Sequence, residues 1–77
     1  MYRAKPKGKY ELKLGEIRKA RGLTQSELAT LLGVTKQIVS NWEREVTPID
    51  FIVAIQICDI LKCSIEDLGG REEIRHV

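Results

Sequence analysis

The stretch Gln25–Arg44 constrains the fold more than any other part of this chain. Leu28, Ala29 and Leu32 recur at helical spacing, and so do Ile38, Val39 and Trp42. Between the end of the first helix at Leu32 and the start of the second at Lys36 stand only Gly33, Val34 and Thr35. Thr24-Gln25-Ser26-Glu27 reads as a capping box, in which the threonine hydroxyl and the glutamate each satisfy the other's backbone N–H. Thr35 is a second N-cap. A bend this tight needs a left-handed residue, and Gly33 adopts that conformation without a steric cost. It also needs a small side chain where the helices cross, which Ala29 supplies. Val34, Val39 and Trp42 then fall where the second helix folds back on the first. That is the geometry of a helix-turn-helix.

The remaining patterns are also helical, and none alternates as a strand would. One helix is expected over Lys13–Arg21, with Leu14, Ile17 and Ala20 on one side and Gly22 at its end. Another starts at Ile49 or Asp50, behind Thr47-Pro48, and reaches Leu61. A short fifth spans Ser64–Leu68, capped by Ser64, with Glu66 and Asp67 in the first turn where the helix dipole favours acids. Gly69-Gly70 stops it. The expected architecture is all-α: a compact bundle of five short helices over residues 13–69. A basic arm over residues 1–12 precedes it, and a polar tail over residues 70–77 follows.

At 77 residues the chain holds one domain, too small to build a catalytic cleft and a cofactor pocket as well. An enzyme is therefore not expected, and neither a cofactor nor a small-molecule ligand is. An apolar content of 43% argues against general disorder. The most apolar window, Phe51–Leu61, falls well short of the roughly 20 residues that cross a bilayer. No leader pattern opens the chain, so a cytoplasmic protein with reduced thiols is expected and no membrane partner. Cys58, Cys63 and His76 do not supply a metal site, and the cysteines read as core thiols.

Charge is distributed unevenly. Residues 1–13 carry five basic side chains and one acid, residues 14–44 five and three, and residues 45–77 three and seven. The N-terminal half is a cation and the remainder an anion, which suggests one face for a polyanion. Wound at about 100° per residue, the helix after Thr35 groups Ile38, Val39 and Trp42 on one side. Lys36, Gln37, Ser40, Asn41 and Arg44 group on the other, with Glu43 at the border. None of those five is acidic, and all can donate hydrogen bonds, which suits base edges and phosphates. In the arm, Lys5, Lys7 and Lys9 could track a phosphate backbone. The fourth helix carries a core stripe of Phe51, Ala54, Ile57, Cys58 and Leu61. A second stripe, Ile49, Val53, Gln56 and Ile60, lies nearly opposite. A monomer would leave that stripe wet, so self-association through it is expected.

Ile17-Arg18-Lys19-Ala20-Arg21-Gly22-Leu23-Thr24-Gln25-Ser26-Glu27-Leu28-Ala29, then Leu32-Gly33-Val34 and Asn41-Trp42-Glu43-Arg44, together resemble the Cro/C1-type (XRE family) helix-turn-helix domain. That is the domain of lambdoid phage repressors and many small bacterial regulators. The resemblance runs from about Leu14 to Leu68 and includes Cys63-Ser64-Ile65-Glu66-Asp67-Leu68. It implies that the third helix enters a DNA major groove, with Thr35, Lys36, Gln37, Ser40 and Asn41 facing bases. It implies that Gln25 bonds a phosphate; Arg44, Thr47 and the arm lysines are expected to hold phosphates beside it. Arg18 and Glu43 stand at the positions of an ion pair that braces the first helix against the third. One position departs from the family: Glu45 stands where a glycine usually follows the Trp-Glu-Arg run. Either the third helix continues or its end is strained. The function expected is sequence-specific double-stranded DNA binding as a homodimer, regulating transcription, most simply by repression. The alternative is a protein-interaction module on the same fold, such as an antitoxin gripping its partner with the apolar stripe. An RNA binder fits less well, because few aromatic side chains are available to stack on bases.

Overall fold

A computed structural model describes residues 11–69. Within them the chain forms α1 (Leu14–Ala20), α2 (Gln25–Leu32), α3 (Lys36–Glu43), α4 (Phe51–Leu61) and α5 (Ile65–Leu68), and no strand. The arm residues 1–10 and the tail residues 70–77 lie outside the described residues. The five expected helices are all present, each beginning and ending within two residues of expectation.

Caps explain the boundaries. Thr24 Oγ1 accepts the Glu27 N–H at 3.0 Å, and Glu27 Oε1 accepts the Thr24 N–H at 2.8 Å. Thr35 and Asp50 cap α3 and α4 by accepting the N–H groups of Ile38 and Ile52. Ser64 and Asp67 form a second capping box on α5. Gly33 ends α2 in the left-handed region at φ 74°, and the Val34 N–H returns to the Ala29 carbonyl at 2.9 Å. Only α1 starts without a side-chain cap. There the entering strap is held from outside: the N–H groups of Glu11 and Lys13 donate to the carbonyls of Gly69 and Leu68. The base of the arm is thus tied to the end of the domain.

Leu14, Leu28, Val39, Ile57 and Leu61 are fully buried, with Ala29, Trp42, Cys58 and Leu68 closing the core around them. Every helix contributes at least one of these residues. Ala29 is buried in that core, and its carbonyl accepts the Val34 N–H in the short turn.

Two residues assigned to the core face outward. Phe51 is 66% exposed and Ile38 is 38% exposed. The buried residues of α4, namely Ile57, Cys58 and Leu61, all lie in its last two turns, and in its first turn only Val53 and Ala54 pack against the core. Ile38 is turned about 100° from Val39 around α3, and it takes no part in the core cluster. The second α4 stripe is also placed differently from expectation. Ile49, Val53 and Ile60 are half-buried and pack against the core, while Gln56 is exposed. The exposed apolar row of α4 is instead Phe51, Ile52 and Ile55, and Val46 ahead of the helix is exposed as well.

Candidate nucleic-acid interface

The outer face of α3 is set by which residues of that helix the core needs. Val39 and Trp42 turn inward. Lys36, Gln37 and Arg44 are exposed on the other side, with Ser40 and Asn41 half-buried beside them. The expected grouping of these five is therefore present. Gln37 Nε2 donates to Asn41 Oδ1 at 3.0 Å, and Arg44 Nη2 donates to the same oxygen at 2.7 Å. This row of amides and a guanidinium is held in register along the helix. Among the described residues the Asn41 amide nitrogen makes no hydrogen bond. Thr35 is exposed, but its hydroxyl is engaged as the α3 cap, which leaves its methyl and hydroxyl hydrogen for any outside contact.

Beneath this face, Arg18 and Glu43 form a two-pronged ion pair. Arg18 Nε donates to Glu43 Oε2 at 2.6 Å and Arg18 Nη2 donates to Oε1 at 3.1 Å. The fork geometry fits a carboxylate on both oxygens. Arg18 Nη1 also donates to the Leu23 carbonyl at 2.7 Å, so one buried guanidinium joins α1, the α1–α2 loop and α3. Gln25 Nε2 donates to Glu43 Oε1 at 3.0 Å. The start of α2 is thereby locked to the end of α3, and Gln25, expected on a phosphate, is shared with this brace. Its carbonyl and second amide hydrogen are what it has left to offer. Burial alone would push the Glu43 carboxyl up. The hydrogen bonds from Arg18 and Gln25, with the Arg18 and Lys19 charges, outweigh it and hold the group below its ordinary 4.5.

Two supporting residues have no counterpart in the expected set. A Cβ on Gly15 would stand 3.2 Å from Glu43 Oε1, so the missing side chain lets the carboxylate pass close over α1. A glycine inside a helix signals such an approach, though it does not name the neighbour. Arg21 Nε donates to the Leu61 carbonyl at 2.6 Å and its Nη2 to the Lys62 carbonyl at 3.1 Å. It satisfies carbonyls at the end of α4, a role that cations fill at helix C-termini.

α3 ends where its sequence lacks a glycine. The Glu45 N–H donates to the Trp42 carbonyl and the Val46 N–H to the Asn41 carbonyl. Glu45 itself sits at φ 58°. Of the two expectations for this position, the helix stops and the residue is strained. Arg44 and Thr47 flank it, both exposed. Lys5, Lys7 and Lys9, expected on phosphates, lie outside the described residues.

A family model described as helix-turn-helix matches residues 14–68, the whole span from α1 to α5. The chain belongs to the Cro/C1-type helix-turn-helix family. It is a DNA-binding transcriptional regulator of that class and not an enzyme. Three solved structures resemble this helix-turn-helix domain. The restriction-modification controller protein C.AhdI from Aeromonas hydrophila is 28% identical with a TM-score of 0.67, over 73% of this chain and 81% of its own. The P22 c2 repressor, solved with a synthetic operator, is 27% identical with a TM-score of 0.67, over 73% and 85%. SinR, a master regulator for biofilm formation solved with DNA, is 30% identical with a TM-score of 0.66, over 73% and 90%. No curated protein matches the chain by sequence. Among the described residues no helix is long and apolar enough to cross a membrane.

Proposed function

We propose that this protein is a homodimeric transcriptional repressor that reads a specific duplex sequence with α3 and acts in the cytoplasm. The observation that carries the reading is the outer face of α3. Lys36, Gln37, Ser40, Asn41 and Arg44 share one side, none is acidic, and the Arg18–Glu43–Gln25 brace fixes that side relative to α1 and α2. Amide side chains on a rigid helix match adenine edges in the major groove, and lysine or arginine matches guanine. Gln25, Arg44, Thr47, Lys5, Lys7 and Lys9 hold phosphates in this reading, and Thr35 touches a base through its free methyl or hydroxyl hydrogen. Residues 13–69 form the binding domain, with residues 1–12 as a basic arm and residues 70–77 as a polar tail. The P22 c2 repressor solved with a synthetic operator and SinR solved with DNA support a duplex partner.

The homodimer rests on the exposed row of α4. Phe51, Ile52 and Ile55 make an apolar patch that water would not leave unpaired. Ile49, Val53 and Ile60 pack against the core, and Gln56 is exposed on the same helix. Two copies related by a two-fold would present their α3 helices one DNA turn apart, ~34 Å. Repression then follows from occupying the operator.

Selection of a random duplex pool on the purified protein at physiological salt tests this. The reading predicts an enriched palindrome whose half-sites are about ten base pairs apart, centre to centre. Weak, salt-sensitive binding with no enriched sequence would refute it. It would favour the second reading, which the same exposed row supports: a protein-interaction module whose α4 grips a different protein.

A further inference from the structure

Cys58 and Cys63 stand five residues apart at the end of α4, and both are free thiols. The helix closes there on Lys62, in the left-handed region at φ 57°. In this type of helix end the residue after the left-handed one bonds back five residues, and its side chain lies against the side chain of that partner. Here the two residues so paired are the two cysteines: the Cys63 N–H donates to the Cys58 carbonyl at 3.1 Å. Covalent lengths then limit their Cα separation to at most about 7 Å. A disulfide spans Cα distances up to that order without moving the backbone.

Their surroundings differ. Cys58 is buried and belongs to the core, whereas Cys63 is half-buried at its margin. Burial first, then the hydrogen bond from Cys63 and the charges of Cys63, Asp59 and Asp67, push the Cys58 thiol up to about 11. It stays protonated and inert toward outside reagents. No third His, Cys, Asp or Glu joins the pair as a metal ligand among the described residues.

We infer that Cys58 and Cys63 are a redox-active pair that closes to an intramolecular disulfide under peroxide, with Cys63 oxidised first and Cys58 resolving it. In the first step the Cys63 sulfur attacks hydrogen peroxide. An S–O bond forms, the O–O bond breaks, and one water leaves, giving a sulfenic acid. In the second step the Cys58 sulfur attacks Cys63 Sγ. The S–S bond forms, the S–O bond breaks, and the Cys58 proton leaves with the oxygen as a second water. The dithiol loses two electrons and the peroxide gains them. A small dithiol reverses the bond by exchange. The ring holds Lys62 in its left-handed conformation and ties the entry to α5 onto the end of α4, where Arg21 is already docked.

The test treats the full chain with hydrogen peroxide and reads intact mass, free thiols after denaturation, and the melting curve. Expected are the loss of both thiols together, a mass lower by two hydrogens, recovery with dithiothreitol, and a thermal midpoint higher by about 5–10 °C. In Cys58→Ser, Cys63 should accumulate added oxygen with no loss of hydrogen. In Cys63→Ser, Cys58 should remain a thiol at the same dose. A wild-type chain that gains oxygen without losing hydrogens, or that links to a second copy through these thiols, would overturn the inference. So would a Cys58 that oxidises first in the Cys63→Ser chain. None of these readouts involves DNA.

Discussion

Glu45 carries a backbone cost that its family usually avoids. A non-glycine residue at φ 58° forfeits about 1 kcal/mol, and this one brings a negative charge to the end of α3. Glu45→Gly should raise stability by about 1 kcal/mol, seen as a thermal midpoint roughly 4–8 °C higher, and should tighten DNA binding at low salt. A variant that melted no higher would place the strain elsewhere. Glu43 offers a pH test. Its carboxyl is held below 4.5 in the fold, so its contribution to stability is fully present at neutral pH and lost as pH falls through the depressed value. Urea midpoints should drop for the wild type below about pH 4.5. Glu43→Gln should start less stable at neutral pH and lose less on acidification. An equal acid loss in both would remove Glu43 from the account. At this scale the sequence was partly legible. The Arg18–Glu43 partnership came from family resemblance, since two residues 25 apart carry no spacing signal. Gly15 was not singled out, because a helix glycine announces crowding without saying by what, and the answer here is Glu43.

Helix ends were the most readable feature, because their chemistry is local. Thr24, Gly33, Thr35 and Ser64 do what their types and spacings imply, and the helix bounds follow. Thr24→Ala removes one half of a capping box and should cost about 1 kcal/mol, measured by urea unfolding. No change would mean that the box in α2 adds nothing to its packing. Faces were less readable than ends. A helical wheel places Phe51 with Ala54, Ile57, Cys58 and Leu61, yet the fully buried residues of α4 all lie in its later turns and Phe51 is exposed. How far a helix projects past its neighbours depends on their lengths and crossing, which periodicity does not carry. The same limit put Ile49, Val53 and Ile60 on an open face, when they pack against the core. It also hid Arg21, whose bonds to the Leu61 and Lys62 carbonyls join the end of α1 to the end of α4.

Across the whole molecule, the division of labour is between a braced α3 and an apolar first turn of α4. The core joins them through Trp42, Val39, Ile57 and Leu61, so the position of α3 in one copy is rigidly related to the proposed dimer contact. Replacing Phe51 and Ile52 together with Asp should shift the mass in sedimentation from dimer to monomer while helical circular dichroism is kept, because both side chains are mainly exposed. A monomeric wild type, or a dimer that survives the double change, would remove α4 from the interface. The central claim is that the outer face of α3 reads bases, and its most direct test is paired selection of duplex DNA by the wild type and Gln37→Ala. The account predicts that one position in each half-site relaxes, with about 1–3 kcal/mol of discrimination lost there and the other positions unchanged. Uniform weakening across all sequences, with the enriched pattern intact, would contradict it.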